Sequence, residues 1–269
     1  MKIGIIGYGT IGKILAQAIK DQKAGDVSLV AVMDVFVESP FGEDAGLPAY
    51  FNQIEPFLEM DMDVVIETAS QAVLKEYASK VISSGKNLIA MSTGAFSDTT
   101  FLRELMDLTV THRRRVMLPS GAIGGLDALL AAGMDEIHEV TLTTTKPIRA
   151  LSGVRSALDR DLDLTAIAEP TLLYEGPAEE AVIRFPKNVN VVAALSLAGI
   201  GFERTTVRLV ADPDATQNTH RIDARGAFGE FHMELILFPS PNNPKTSYLA
   251  ALSAIRAVKN LTESFRVGI

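Results

Sequence analysis

The chain has 269 residues, 47% hydrophobic and 22% charged, which is typical of a globular protein with one large domain or two modest ones. Its 25 basic and 33 acidic side chains give a net charge of −8, which argues against nucleic acid or an anionic membrane as a partner. The absence of cysteine excludes disulfides, thiolate metal sites and a thiol nucleophile. The sequence shows neither a signal-peptide pattern nor an apolar run that could span a bilayer, so we expect a cytoplasmic protein.

The first 119 residues alternate between short apolar strands and amphipathic helices. Strands are predicted at 2–6, 28–34, 63–67, 87–90 and 115–118, and helices at 11–20, 73–84 and 98–112. Residues 35–52, rich in Gly, Pro and acidic side chains, are interpreted as a long crossover connection. Continuous apolar strands separated by helices predict a parallel sheet that is covered on both faces.

From about residue 120 the pattern changes to longer strands with alternating polarity. They are predicted at 137–146, 204–211, 219–225 and 230–238, with helices near 124–135 and 188–197. Such strands indicate a mainly antiparallel sheet with one face open to solvent. A last helix is predicted at 246–260 with Thr246 as its N-cap. The fold class is therefore α/β, with a second α+β domain.

A glycine-rich turn connects the first strand and the first helix. Gly7, Gly9 and Gly12 form a G-x-G-x-x-G string in the context that dinucleotide binding requires. The first glycine allows the tight turn, the second lets a pyrophosphate approach the backbone, and the third lets the helix pack on the strand. The helix N-terminus then faces the phosphates. A plain glycine turn without a ligand is the competing interpretation.

Asp34 closes the second strand, where an acid would accept hydrogen bonds from the ribose hydroxyls. Its negative charge would repel a 2′-phosphate, and Val35 and Phe36 supply no arginine to attract one. The spacing therefore favours NAD over NADP as the cofactor.

Four histidines are candidate acid–base groups because imidazole titrates near neutral pH. His112, His138 and His232 are predicted to be solvated. His220 shares a strand face with Ile222 and Ala224, which is equally consistent with a core residue and with a catalytic base.

For three polar or glycine-rich segments a purely structural interpretation stays open. Lys187 and Asn188 stand at a helix start and could orient a carboxylate or a carboxamide, or Asn188 could simply cap the helix. The 119–125 segment could bind a ligand at the carboxyl edge of the parallel sheet or form an interdomain turn. Residues 243–247 could be no more than a loop and helix cap.

Several strings together resemble the L-aspartate dehydrogenase family over nearly the whole chain. Beside the generic Gly7–Gly12 turn stand Glu67-Thr68-Ala69-Ser70-Gln71, Ser92-Thr93-Gly94-Ala95 and Asn218-Thr219-His220. The most specific strings are PSGAIGGLD at 119–127, FPKNVN at 185–190 followed by LAGIG at 197–201, and NPKTS at 243–247. One departure is Thr68, at a position where the family often has alanine.

The resemblance implies NAD(P)-dependent oxidation of L-aspartate to iminoaspartate, or reductive amination of oxaloacetate with ammonia in reverse, as a step towards NAD biosynthesis. It implies a homodimer, a Rossmann domain at 1–119 that the helix at 245–269 completes, and a substrate domain at 120–244. His220 matches the family's acid–base residue. We assign cofactor contacts to Gly7, Gly9, Thr10, Ile11, Gly12, Asp34, Ala69, Ala122 and Asn188.

Charge and position suggest Lys187 and Asn218 as substrate-binding residues. No metal is expected, because hydride transfer from an amine needs orientation more than a Lewis acid. The competing hypotheses are a related two-domain reductase, such as a dihydrodipicolinate reductase or homoserine dehydrogenase, and a non-catalytic NAD-binding sensor.

Overall fold

The computed structural model describes residues 1–35, 48–151, 163–185, 189–241 and 243–268. The chain divides into two compact units. Unit 1 contains Met1–Gly121, Pro241–Thr246 and Ala250–Ile269, and unit 2 contains Ala122–Ser240 and Ser247–Leu249.

Unit 1 contains a six-stranded, fully parallel sheet in the order β3-β2-β1-β4-β5-β6. Its strands are β1 (Lys2–Ile6), β2 (Ser28–Met33), β3 (Ala49–Phe51), β4 (Val64–Glu67), β5 (Asn87–Ala90) and β6 (Val116–Met117). Ile5, Ile66 and Ile89 in the central strands are fully buried, which confirms the predicted doubly covered sheet. The strand order reverses between β1 and β4, and the crevice at such a point is where doubly wound sheets bind ligands.

The described helices of unit 1 that precede its last segment are α1 (Thr10–Lys20), α2 (Ile54–Glu59), α3 (Gln71–Ser83) and α4 (Thr99–His112). Side chains cap the N-termini of α3 and α4 but not those of α1 and α2. Ser70 caps α3 by accepting a hydrogen bond from the Val73 N–H at 3.3 Å. Asp98 caps α4 in the same way, and the left-handed Arg113 ends that helix.

Unit 2 contains a five-stranded mixed sheet in the order β11-β10-β7-β9-β8. Its strands are β7 (Ile137–Pro147), β8 (Thr171–Pro177), β9 (Thr206–Asp212), β10 (Asn218–Gly226) and β11 (Gly229–Leu237). Only the β7–β9 pair is parallel, so the prediction of a mainly antiparallel sheet is confirmed. Val140, Leu142 and Ile222 on the covered face are fully buried, whereas Arg221 and Glu234 on the other face are exposed.

The helices of unit 2 are α5 (Leu126–Ala132), α6 (Ala178–Arg184) and α7 (Val189–Ala198), with short 3-10 helices at Ile148–Leu151 and Leu164–Ala166. Two further strands, β12 (Pro239–Ser240) and β13 (Asn243–Ser247), precede the last helix, α8 (Tyr248–Thr262). No helix within the described ranges combines the length and apolarity that crossing a membrane requires. Val258 of α8 belongs to the hydrophobic core of unit 1.

Several sequence-based boundaries were wrong. Thr246 does not cap the last helix, because it lies in β13 and the helix starts at Tyr248. The 35–52 crossover contains the edge strand β3, and α2, β8 and α6 were missed. Each missed element has no more than seven residues, which is too short for a clear periodicity.

Candidate active site

The glycine-rich turn of unit 1 is closed by tight backbone packing. Gly7 has a φ of +93°, a conformation that favours glycine, and its N–H donates to the Met33 carbonyl at 2.8 Å. A Cβ on Gly7 would lie 2.7 Å from the Cβ of Ala69. A Cβ on Gly12 would collide with the Gly7 carbonyl oxygen. Both positions therefore require glycine for the turn itself.

Gly9 differs from its neighbours because a Cβ there would meet nothing within 4 Å. It is also the N-cap residue of α1 and provides no side-chain cap for the helix. Open space thus lies directly in front of a helix N-terminus whose first N–H groups need acceptors. This cradle fits the pyrophosphate of a dinucleotide.

Thr10 and Ile11 follow at the start of α1, and both are half-buried. The Thr10 hydroxyl accepts a hydrogen bond from the Asn243 amide at 2.9 Å. Asn243 opens the NPKTS string, so one role of that string is to fix the first helical residue after the turn.

Asp34 follows β2 and turns its carboxylate towards the glycine-rich turn. Its Oδ2 accepts a hydrogen bond from the Tyr8 N–H at 2.6 Å. The Tyr50 hydroxyl donates to the Asp34 carbonyl at 2.7 Å, and burial, reinforced by the Asp34 charge, raises the pKa of Tyr50. An acid is therefore anchored beside the turn, where the sequence placed it, and its contact with a ribose stays a prediction.

A buried carboxylate holds the end of β4 to the segment after β5. Glu67 is 1% exposed and accepts hydrogen bonds from the Ser92 hydroxyl at 2.8 Å, the Ser92 N–H at 3.1 Å and the Ala69 N–H at 2.8 Å. Burial raises the pKa of this carboxyl. The contacts fix Ala69 against the turn. Ala69 was predicted to contact the cofactor, whereas no role was predicted for Glu67.

Thr68 adds a direct bond to the glycine-rich turn. Its hydroxyl donates to the Gly7 carbonyl oxygen at 2.7 Å. The residue noted as a departure from the family pattern thus forms a contact that alanine would lack.

His220 lies on the covered face of the sheet in unit 2. It is 5% exposed, and its Nδ1 lies 3.0 Å from the Thr144 hydroxyl. Burial, with a smaller contribution from the positive charge of Lys146, lowers the pKa of His220 to about 4. The imidazole is therefore neutral near pH 7 and has a nitrogen lone pair for accepting a proton. The predicted sharing of a face with Ile222 and Ala224 is confirmed.

Two further polar groups lie near His220, at the end of the sheet where β7 ends and β10 begins. Lys146 on β7 is 7% exposed, and Asn218 stands two residues before His220 on β10. The Asn218 Oδ1 is buried without a hydrogen-bond partner in the described part of the chain. Such a polar atom calls for a ligand or water.

The other histidines lie in more open surroundings, as predicted. His232 is exposed on the edge strand β11, and its Nδ1 lies 2.5 Å from the Asp223 carboxylate. His138 is exposed beside Glu136, at 3.6 Å. His112 is half-buried in the last turn of α4.

The 119–125 segment belongs partly to each unit. In unit 1, the Gly121 N–H donates to the Ser253 hydroxyl at 3.1 Å. In unit 2, a Cβ on Gly124 would lie 2.8 Å from the Met233 sulfur and 3.8 Å from Leu235. Leu235 is the β11 neighbour of His220, so this part of the segment lies near the His220 face. Ala122, half-buried, is the first residue of unit 2.

The predicted residues thus form two groups, one in each unit. Gly7, Gly9, Thr10, Ile11, Gly12, Asp34 and Ala69 lie around the carboxyl edge of the parallel sheet. Asn218 and His220 lie on β10. Lys187 and Asn188 lie outside the described residues. No role was predicted from the sequence for Glu67, Ser92, Thr144 or Lys146. A lysine on the apolar face of an alternating strand was the available signal for Lys146.

Family models match both halves of the chain. Residues 127–261 match the C-terminal domain of aspartate dehydrogenase, and residues 7–119 match the NAD-binding domain described for homoserine dehydrogenase. An L-aspartate dehydrogenase of Methanosarcina mazei is 41% identical over 272 residues, covering 100% of this chain and 99% of its own. The chain belongs to the L-aspartate dehydrogenase family.

Other L-aspartate dehydrogenases agree in sequence and in fold. The enzyme of Archaeoglobus fulgidus is 40% identical, with 99% of this chain and 100% of its own covered. The crystal structure of aspartate dehydrogenase from Thermotoga maritima superposes with a TM-score of 0.80 at 29% identity, covering 100% of this chain and 99% of its own. This chain is thus an oxidoreductase of that family with a nicotinamide dinucleotide as cofactor.

Proposed function

We propose that this protein oxidises L-aspartate to iminoaspartate with NAD, and in reverse forms L-aspartate from oxaloacetate and ammonia. The observation that carries the proposal is a buried, neutral His220 in a chain that matches L-aspartate dehydrogenases over its full length. A neutral imidazole has the lone pair that can accept the one proton released when an amine is oxidised.

Unit 1 would hold the cofactor. The open cradle at Gly9 and the N-terminus of α1 suit the pyrophosphate, and Asp34 suits the ribose hydroxyls. The Asp34 charge favours NAD over NADP because it would repel a 2′-phosphate. The proposed cofactor contacts are Gly7, Gly9, Thr10, Ile11, Gly12, Asp34, Ala69, Ala122 and Asn188.

His220 would act as the base. The ammonium group of aspartate gives one proton to the imidazole, the hydride leaves Cα, and the nitrogen lone pair forms the C=N bond of the iminium product. When bound, NAD accepts that hydride. We assign the proton on the resting imidazole to Nδ1, where it is donated to the Thr144 hydroxyl, so that Nε2 remains the acceptor. In the reverse reaction the protonated imidazole returns its proton.

Substrate contacts are proposed for Lys187 and Asn218. A lysine suits a carboxylate, and the buried Asn218 Oδ1 suits an N–H of the substrate ammonium. We assign cofactor binding to the sequence-based domain at 1–119 and 245–269, and the chemistry on the substrate to the domain at 120–244. We also propose that the enzyme works in the cytoplasm as a homodimer and supplies NAD biosynthesis.

The deciding experiment follows the products of L-aspartate oxidation. Incubation with L-aspartate and NAD should yield NADH, oxaloacetate and ammonium in equal amounts, because the imine hydrolyses once it is released. Aspartate deuterated at Cα should react more slowly if hydride transfer limits the rate. Reduction of NAD by another amino acid or hydroxy acid, but not by L-aspartate, would contradict the proposal. Binding of NADH without turnover in either direction would favour a sensor.

A further inference from the structure

One end of the covered face in unit 2 is polar, whereas the rest of that face is apolar. On β7, the buried residues run from Val140 and Leu142 to Thr144 and Lys146. On β10, the paired residues run from Ala224 and Ile222 to His220, with Asn218 next on the same face. The register pairs these residues directly, Ala224 with Val140, Ile222 with Leu142 and His220 with Thr144.

Lys146 therefore lies beside the proposed catalytic base. It is two residues beyond Thr144, the direct partner of His220, and a strand advances about 7 Å over two residues. Its ammonium is close enough to contribute to the low pKa of the imidazole. Its side chain extends within the covered face, where only 7% of the residue is exposed.

A buried ammonium group attracts an anion more strongly than an exposed one does, because the surrounding dielectric is low. L-Aspartate brings two carboxylates, and its ammonium group needs hydrogen-bond acceptors in the same site. The polar end of the face offers both kinds of partner. Lys146 is a donor for a carboxylate, and the buried Asn218 Oδ1 and the His220 imidazole are acceptors for the ammonium.

We propose that Lys146 binds a carboxylate of L-aspartate beside His220 and so determines the specificity of the enzyme for an acidic amino acid. This inference rests on the proposed function and adds to it a substrate-binding residue on β7. The sequence had suggested only Lys187 as a cation for this purpose.

The same lysine helps to keep the His220 imidazole unprotonated. Thr144 on β7 and Leu235 on β11, the direct strand neighbours of His220, carry no charge, and neither does any residue of α7. Within the described residues, Lys146 is the charged group that shifts the pKa of His220, and it lowers it. Removing the charge should therefore raise that pKa.

The test compares Lys146→Met and Lys146→Gln with Lys86→Met as a matched control. Lys86 is also buried, at 8% exposed, but it lies in unit 1 and donates to the Leu58 carbonyl at 2.7 Å. Loss of a charge-assisted contact predicts an increase of at least about 30-fold in the KM for L-aspartate in both Lys146 variants, with a smaller change in kcat. The dissociation constant of NADH should stay within about twofold. The control should leave both quantities unchanged even if it lowers stability.

A second measurement does not depend on turnover. Titration of the His220 imidazole by NMR, assigned with a His220→Asn variant, should give a higher pKa in Lys146→Gln than in the unmodified protein. An unchanged imidazole pKa together with a KM within about threefold, in a folded variant that turns over, would overturn the role of Lys146 and leave the proposed function intact. If the unmodified enzyme fails to oxidise L-aspartate, that result contradicts the proposed function and, with it, the assignment of Lys146 to that substrate.

Discussion

The carboxyl edge of the sheet in unit 1 and the His220 face of unit 2 are built from different kinds of groups. The edge in unit 1 uses the backbone of Gly7–Gly12, and the carboxylates around it, Asp34 and Glu67, accept backbone N–H bonds. The face in unit 2 uses side chains from two paired strands, including a buried imidazole and a buried amide oxygen that has no hydrogen-bond partner among the described residues. The first region is suited to cradling a cofactor, and the second to moving a proton.

The largest expected effect concerns the base. His220→Asn should lower kcat/KM for L-aspartate by about 10²–10⁴-fold, because general-base catalysis contributes on that scale. The dissociation constant of NADH should change by less than about twofold, which equilibrium fluorescence titration measures. His232→Asn, on the exposed face of the same sheet, is the matched control and should keep full turnover. Turnover of the His220 variant within about threefold of the unmodified enzyme would remove the imidazole from the mechanism.

The burial of His220 should also appear in the pH dependence of stability. Between pH 6.5 and about 4, the unfolded chain binds a proton at His220 that the folded chain does not bind. The stabilisation that follows from the lowered pKa is therefore complete above pH 6.5 and is lost as the pH falls towards 4. Its size is about 3 kcal/mol of unfolding free energy. Urea unfolding across this range measures it, and His220→Asn should lack this component. Equal pH slopes in the two proteins would contradict a buried neutral imidazole.

Two glycines of the same turn should respond differently to alanine. Gly12→Ala should lower the free energy of unfolding by about 2 kcal/mol, because the new Cβ meets the Gly7 carbonyl. Gly9→Ala should cost less than about 0.5 kcal/mol and still weaken NADH binding about tenfold, since its Cβ enters the open cradle. Thermal unfolding measures the change in stability, and NADH titration measures the change in cofactor affinity. A Gly9→Ala variant that binds NADH normally would exclude the cradle as the pyrophosphate site.

Asp34 should set the cofactor preference. Asp34→Ser should weaken NAD binding about tenfold, because a charge-assisted bond to a ribose hydroxyl is lost, and should improve the relative use of NADP. Asp63→Ser is the control, because Asp63 also accepts a backbone N–H, from Lys2 at 2.7 Å, but stands before β4 rather than after β2. The ratio of kcat/KM for the two cofactors is the readout. If both variants show the same ratio of kcat/KM for NAD and NADP as the unmodified enzyme, Asp34 does not determine the cofactor preference.

The smallest effect is expected at Thr68. Thr68→Val removes the hydroxyl bond to the Gly7 carbonyl at nearly constant volume, which should cost about 1 kcal/mol of stability. We expect the KM for NAD to rise about threefold, since the turn is less firmly held. Thr68→Ser keeps the hydroxyl and should behave like the unmodified protein. If Thr68→Ser lost as much stability as Thr68→Val, the methyl group rather than the hydrogen bond would be what matters at this position.

The same contrast explains what the sequence could predict. Glycines between a strand and a helix form a local string, so the turn, the sheet and Asp34 were predictable from spacing. The neighbourhood of His220 depends on the register between β7 and β10, which pairs His220 with Thr144 across 76 positions of the chain. Thr144 and Lys146 were therefore not recognised, although the sequence did place His220 on a buried face. Lys187 and Asn188, outside the described residues, stay predictions.

The most direct test of aspartate oxidation through His220 is the reduction of NAD, followed by its absorbance, with a panel of L-amino acids and hydroxy acids. We expect NADH formation with L-aspartate and no comparable rate with the other compounds. We also expect this rate to disappear in His220→Asn while NADH still binds. Equal rates with several neutral amino acids, or no reaction with L-aspartate in a protein that binds NADH, would contradict the assignment.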